Sequence, residues 1–172
     1  DSQAQKTYAA NFGEAPEGDI TQESTKRLIP DGFDILCAGF PCKAFSIAGR
    51  REGFEDTRGT LFFDVADIIR RKQPKAIFLE NVKGLINHDK GRTLKVILAT
   101  LREVLGYYVP EPKVMNARDF GVPQNRERIF IVGFREDLGI SEFDYPKPSG
   151  VPVAFEDVKE TAPVSAKYYL ST

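Results

Sequence analysis

The sequence predicts an α/β domain on a mostly parallel, Rossmann-like sheet with crossover helices. Three observations carry that prediction. Short apolar runs at residues 33–38 and 76–79 each follow a turn signal, as buried parallel strands do. Two longer segments between and after them space their apolar residues by three and four, as helices packed on a sheet do. The run RIFIVGF at residues 128–134 is a third, stronger strand, so strand and helix alternate along the chain.

The elements follow in order. The opening stretch DSQAQKTYAANFG is polar and amphipathic rather than signal-like, and it reads as the inside of a helix leaning on something before it. The chain is therefore expected to be a piece of a larger protein. Pro30, Asp31 and Gly32 turn the chain into the strand at 33–38, in which Cys37 is expected to be a small buried hydrophobe. Phe62, Val65, Ala66 and Ile69 share one face of the first crossover helix, and Lys72, Gln73 and Pro74 precede the strand at 76–79. Leu94, Ile97, Leu98, Leu101 and Leu105 mark the second helix, with Gly106 where it should stop. Residues 107–114 predict a further strand, bent or pushed to an edge by Pro110 and Pro112. Beyond Tyr145 scattered prolines and the loss of any period predict that 149–172 is a linker or the edge of another region, leaving 1–148 as the domain proper.

Composition narrows the function classes. A chain of 172 residues with 41% hydrophobic and 28% charged residues suits one globular domain, and no run approaches the roughly 20 apolar residues of a membrane span. A cytoplasmic, membrane-free protein is the expectation. Two cysteines and one histidine neither staple a small fold nor make an obvious zinc site, so no metal is expected. A net charge of −1 argues neither for nor against nucleic acid. The basic run Arg70, Arg71 and Lys72 reads as a solvated face rather than a phosphate site.

Chemistry concentrates at the strand ends, where α/β sheets gather ligands. In GFPCKAFS, Cys42 leaves the first strand and enters a polar, basic loop, with Pro41 setting the backbone before the thiol. Glu80 and Asn81, in LENVKGL, emerge at the equivalent end of the next strand, so parallel neighbours would bring Glu80 and Cys42 to one crevice. Gln124, Arg126 and Arg128 stand immediately before the strongest strand, placed either as edge charges or to hold an anion or a carbonyl oxygen.

GFPCKAFS, GTLFFDV, LENVKGL and QNRERIFIVGF, in that order and spacing, resemble the motif series of the cytosine carbon-5 DNA methyltransferases, the HhaI-type bacterial restriction-modification enzymes especially. The resemblance implies the S-adenosylmethionine-dependent methyltransferase fold, incomplete at both ends, and methyl transfer to a cytosine flipped out of duplex DNA. It implies that Cys42 adds to carbon 6 of the base, that Glu80 serves ring nitrogen 3, and that Arg128 polarises the ring carbonyl, with Arg126 supporting. Asn81 matches a residue that sets the Pro-Cys loop. Asp19 and Ile20, in Gly-Asp-Ile, match the adenine side of the cofactor site, with Pro41 and Leu61 as further walls. Lys43, Ser46, Arg58 and Gln124 match positions facing DNA, and residues 43–58, with Gly49 and Gly53, match the part that moves when DNA binds.

The chain departs from the family in three ways. The Phe-x-Gly-x-Gly loop and the acid that binds the ribose are not found within these 172 residues, the family's target-recognition region is expected only beyond Thr172, and Lys43 stands where glutamine is usual. The isolated chain is therefore expected to be inactive, with a companion chain or further segments supplying the rest of the cofactor site. Two rivals are a catalytically silent DNA-binding or assembly subunit of the same family, which retention of Cys42, Glu80 and Arg128 opposes, and a cysteine hydrolase, for which His88 is poorly placed as a base.

Overall fold

A computed structural model describes residues 2–41, 61–162 and 165. The expectations for Cys42, Lys43, Ser46 and Arg58, and for the moving segment at 43–58, fall on residues outside the described ones. Two N-terminal helices, α1 (Ser2–Phe12) and α2 (Glu23–Leu28), lead into β1 (Ile35–Gly39). Helix α3 (Leu61–Lys72) precedes β2 (Ala76–Val82), and α4 (Arg92–Ala99) precedes β3 (Tyr107–Tyr108), β4 (Lys113–Asn116) and β5 (Glu127–Arg135).

Helix α3 forms where the apolar spacing predicts it. Phe62, Val65, Ala66 and Ile69 are buried on the sheet, Asp64 lies in the first turn and Arg70, Arg71 and Lys72 in the last, each suited to the helix dipole. Gln73, at φ 47°, turns the chain out of the helix toward Pro74. Helix α4 passes into a wider π turn over Thr100–Val104 before Gly106, at φ 70°, releases the chain. The expected strand at 107–114 splits into β3 and β4, because Pro110 and Pro112 between them cannot donate to a ladder.

The sheet is mixed rather than mostly parallel. β1 and β2 run parallel, with Gly39 opposite Glu80, whereas β5 is antiparallel to β2, β3 and β4. The short connection from β4 to β5 explains this, since it suits a hairpin and a parallel return needs a dozen or more residues of crossover. One face of the sheet, with Ile77, Leu79, Ile129 and Ile131, packs against α3 and against Ile97 and Leu101 to make the core. Burial of each such side chain contributes roughly 1.5–3 kcal/mol.

On the other face, among the described residues, a cover lies over part of β5. Phe143 packs on Phe134 and on Tyr145, whose hydroxyl donates to the Phe130 carbonyl at 3.1 Å. Ile35 on β1 and Phe78 and Val82 on β2 are exposed on this face. Cys37 is exposed there too, correcting the expectation of burial: in β1 exposed residues alternate with half-buried ones, and Cys37 falls on the outer side. Among the described residues no helix is long and apolar enough to cross a membrane, and no cluster of three metal-ligating side chains occurs.

Candidate active site and cofactor cavity

β2 runs past Leu79 to Val82, so Glu80 and Asn81 are strand residues and point to opposite faces. Asn81 points inward and is buried; its amide nitrogen donates to the Phe40 carbonyl at 2.8 Å while its oxygen accepts from the Val82 N–H at 2.8 Å. This bond holds the backbone immediately before Pro41. Glu80 points to the open face, where its Oε1 meets Arg128 Nε at 2.7 Å. The two are diagonal neighbours, since Glu80 faces Phe130 and Val82 faces Arg128.

Gly39 completes the arrangement. A Cβ on it would stand 3.2 Å from Glu80 Oε2, so the missing side chain leaves room for the carboxylate above the end of β1. Glu80 and Arg128 are both only part-exposed, at 34% and 22%. The pair therefore presents a carboxylate and a guanidinium, side by side, at the end of β1 from which the chain runs on to Cys42.

Gln124 and Arg126 are exposed in the connection between β4 and β5. A residue that sequence reasoning missed pins this connection. Asn116 is buried, donates to Asn125 Oδ1 at 2.7 Å, and accepts from the Arg126 and Arg118 N–H groups at 3.0 and 3.3 Å. An asparagine at a strand end carries no sequence signal separating this role from an ordinary turn. The basic run of α3 pairs within the protein: Arg70 with Asp67, Arg71 with Glu23, and Lys72 with Asp31.

Asp19, Ile20 and Leu61 meet at a cavity of about 560 Å³ whose walls also include Tyr8, Phe40 and Val65. Pro41 is exposed and is not among its walls; Phe40, buried at 7% against Phe62, takes that place. The apolar residue before Pro41 in GFPC was the available signal. Asp19 Oδ1 accepts from the Thr21 N–H at 2.9 Å, and that bond holds the carboxyl below its ordinary pKa, so it is ionised at neutral pH. A carboxylate with one oxygen so engaged retains acceptor capacity, and the apolar walls suit a flat heteroaromatic ring. These residues fit the adenine side of S-adenosylmethionine.

The model of the C-5 cytosine-specific DNA methylases matches residues 1–172. The chain belongs to that family. This methylase chain is 70% identical over 172 residues to the type II methyltransferase M.HpaII of Haemophilus parainfluenzae, covering 100% of the chain and 48% of that protein. It is 57% identical over 148 residues to M.HhaI of Haemophilus parahaemolyticus, covering 86% of the chain and 44% of that protein. The methylase chain thus spans about half the length of the relatives it matches. A solved DNMT2 variant from Spodoptera frugiperda shares the fold at a TM-score of 0.68 and 23% identity, over 97% of this chain and 52% of the other.

Proposed function

We propose that the protein to which this chain belongs is a DNA cytosine-5 methyltransferase of a bacterial restriction-modification system, acting in the cytoplasm on double-stranded DNA. The observation that carries this reading is the Glu80–Arg128 pair above Gly39, in a chain that matches the methylase family along its whole length. Type II methyltransferases among its relatives support the reaction class.

Carbon 5 of cytosine is a weak nucleophile, and a thiolate added at carbon 6 makes it reactive. Cys42 supplies that thiolate. Glu80, in its acid form, donates a hydrogen bond or its proton to ring nitrogen 3, and so makes carbon 6 easier to attack. Arg128 stabilises charge at the ring carbonyl, Arg126 supports it, and Asn81 orients the Pro-Cys loop through Phe40. S-Adenosylmethionine would supply the methyl group when bound; loss of the carbon 5 proton to a base then breaks the carbon 6–sulfur bond, restoring the ring double bond and the Cys42 thiolate. Asp19, Ile20 and Leu61 hold its adenine side, with Phe40 a further wall, while Lys43, Ser46, Arg58 and Gln124 meet DNA.

Duplex DNA carrying 5-fluorocytosine at the target position tests the assignment in the full-length protein. With cofactor present it should trap wild type and the Cys37→Ala variant as a denaturation-resistant adduct, and leave Cys42→Ala untrapped. An adduct formed by Cys42→Ala removes the mechanism.

A further inference from the structure

The cavity and the active-site pair are held by different means. β-Strand register sets Glu80 against Arg128, but the walls of the cavity come from separate elements: the end of β1 at Phe40, the turn before α2, and α3. Asp19 and Ile20 belong to the turn that starts α2, whereas Leu61 and Val65 belong to the first turns of α3. No strand pairing sets the distance between them.

Lys26 joins the two helices. It is buried at 8% exposure, a costly place for an ammonium unless it is paired. Its Nζ lies 2.9 Å from Asp64 Oδ1 and 3.3 Å from Asp67 Oδ2, both on α3, and 3.7 Å from Glu23 of its own helix. Arg71 answers from α3, meeting Glu23 Oε2 at 2.7 Å and Asp67 Oδ2 at 2.7 Å. A chain of hydrogen bonds carries this clamp to the cavity: Lys26 N–H donates to the Gln22 carbonyl at 3.1 Å, and Gln22 N–H donates to the Asp19 carbonyl at 3.0 Å.

Buried ion pairs are poor sources of net stability, since apolar replacements of similar volume often match them. What such a pair offers that an apolar contact does not is direction. We propose that Lys26 is a positioning residue for the cofactor, holding α2 on α3 through Asp64 and Asp67 and so setting the width of the cavity between Asp19-Ile20 and Leu61-Val65. This rests on the reading of that cavity as the adenine side of the S-adenosylmethionine site.

The test is calorimetric titration of the full-length protein with S-adenosylmethionine. Lys26→Met should weaken binding by about tenfold, and Lys26→Arg should restore most of it. Because Lys26→Met leaves two acids without their buried partner, Lys26→Met/Asp64→Asn is run beside it: Asp67 keeps Arg70 and Arg71, and the core loses its excess charge. The double variant should fold with wild-type cooperativity and still bind cofactor about tenfold more weakly, with KM for DNA unchanged. A folded double variant that binds cofactor as wild type does overturns the proposal. Asp19→Ala separates this failure from the other: if it too binds as wild type, the cavity reading falls and the positioning role with it; if it alone loses affinity, only the role of Lys26 falls.

Discussion

The Glu80–Arg128 end of the sheet and the Asp19–Leu61 cavity solve the same problem differently. In the first, both groups stand on paired strands, and the ladder from Ala76 to Val82 against β5 places them before any side chain chooses a rotamer. In the second, the polar group is exposed on a turn and its apolar partners are on another helix, joined by ion pairs. A site for bond chemistry needs sub-ångström orientation, and backbone hydrogen bonds deliver it cheaply. A site that grips one end of a larger molecule tolerates a looser frame.

Substitutions on the strand side should therefore strike chemistry, and the largest effect is expected at Glu80. Glu80→Gln keeps shape and one donor but removes acid chemistry, so single-turnover methyl transfer by the full-length protein should fall by about 10²–10⁴ with cofactor affinity intact. An unchanged rate removes Glu80 from the mechanism and the contrast with it. Asn81→Ala comes next. It leaves the buried Phe40 carbonyl and the Val82 N–H without their side-chain partner, at a cost of about 1–3 kcal/mol in urea unfolding. Because Phe40 also lines the cavity, this variant should weaken cofactor binding as well, and a purely structural loss would leave that affinity alone.

Gly39→Ala sharpens the comparison further. The added methyl must displace the flexible end of Glu80 by a few tenths of an ångström, which costs little stability but misplaces the carboxylate. The expected result is a loss of methyl transfer on the order of tenfold with an unfolding midpoint close to wild type. Equal losses in both would mean that the strand itself has moved.

The smallest effect is in pH. Burial raises the Asp67 pKa, but Arg70, Arg71 and Lys26 outweigh it and leave the folded value below the ordinary one. A depressed acid stabilises above its unfolded pKa and loses that contribution as pH falls through the folded value. The stability gap between wild type and Asp67→Asn should thus stay constant from pH 7 to about 4 and narrow below. A gap that narrows already at pH 6 points to some other group.

Most of the fold was legible because apolar spacing reports which face of an element is buried. Phe62 through Ile69 and Leu94 through Leu105 say so without ambiguity. Strand direction is another matter, since RIFIVGF reads the same whether its strand runs parallel or antiparallel. The difference decides the site: a parallel β5 would carry Arg128 to the far end of the sheet from Glu80, and only the antiparallel return puts its first residues beside the last residues of β2. The exposure of Cys37 is not legible, because an apolar run identifies a strand but not whether both its faces are covered. Lys26 and Asn116 gave no signal, because a helical lysine and a strand-end asparagine become informative only once their distant partners are known.

The open side of β1 has a practical consequence. Among the described residues this strand pairs on one edge only, and Ile35 and Phe78 lie uncovered beside it. An unpaired edge next to exposed apolar side chains is a template on which another extended chain can add. Produced by itself, this polypeptide should self-associate through β1 during refolding, and Ile35→Lys should be the first change to try for keeping it in solution.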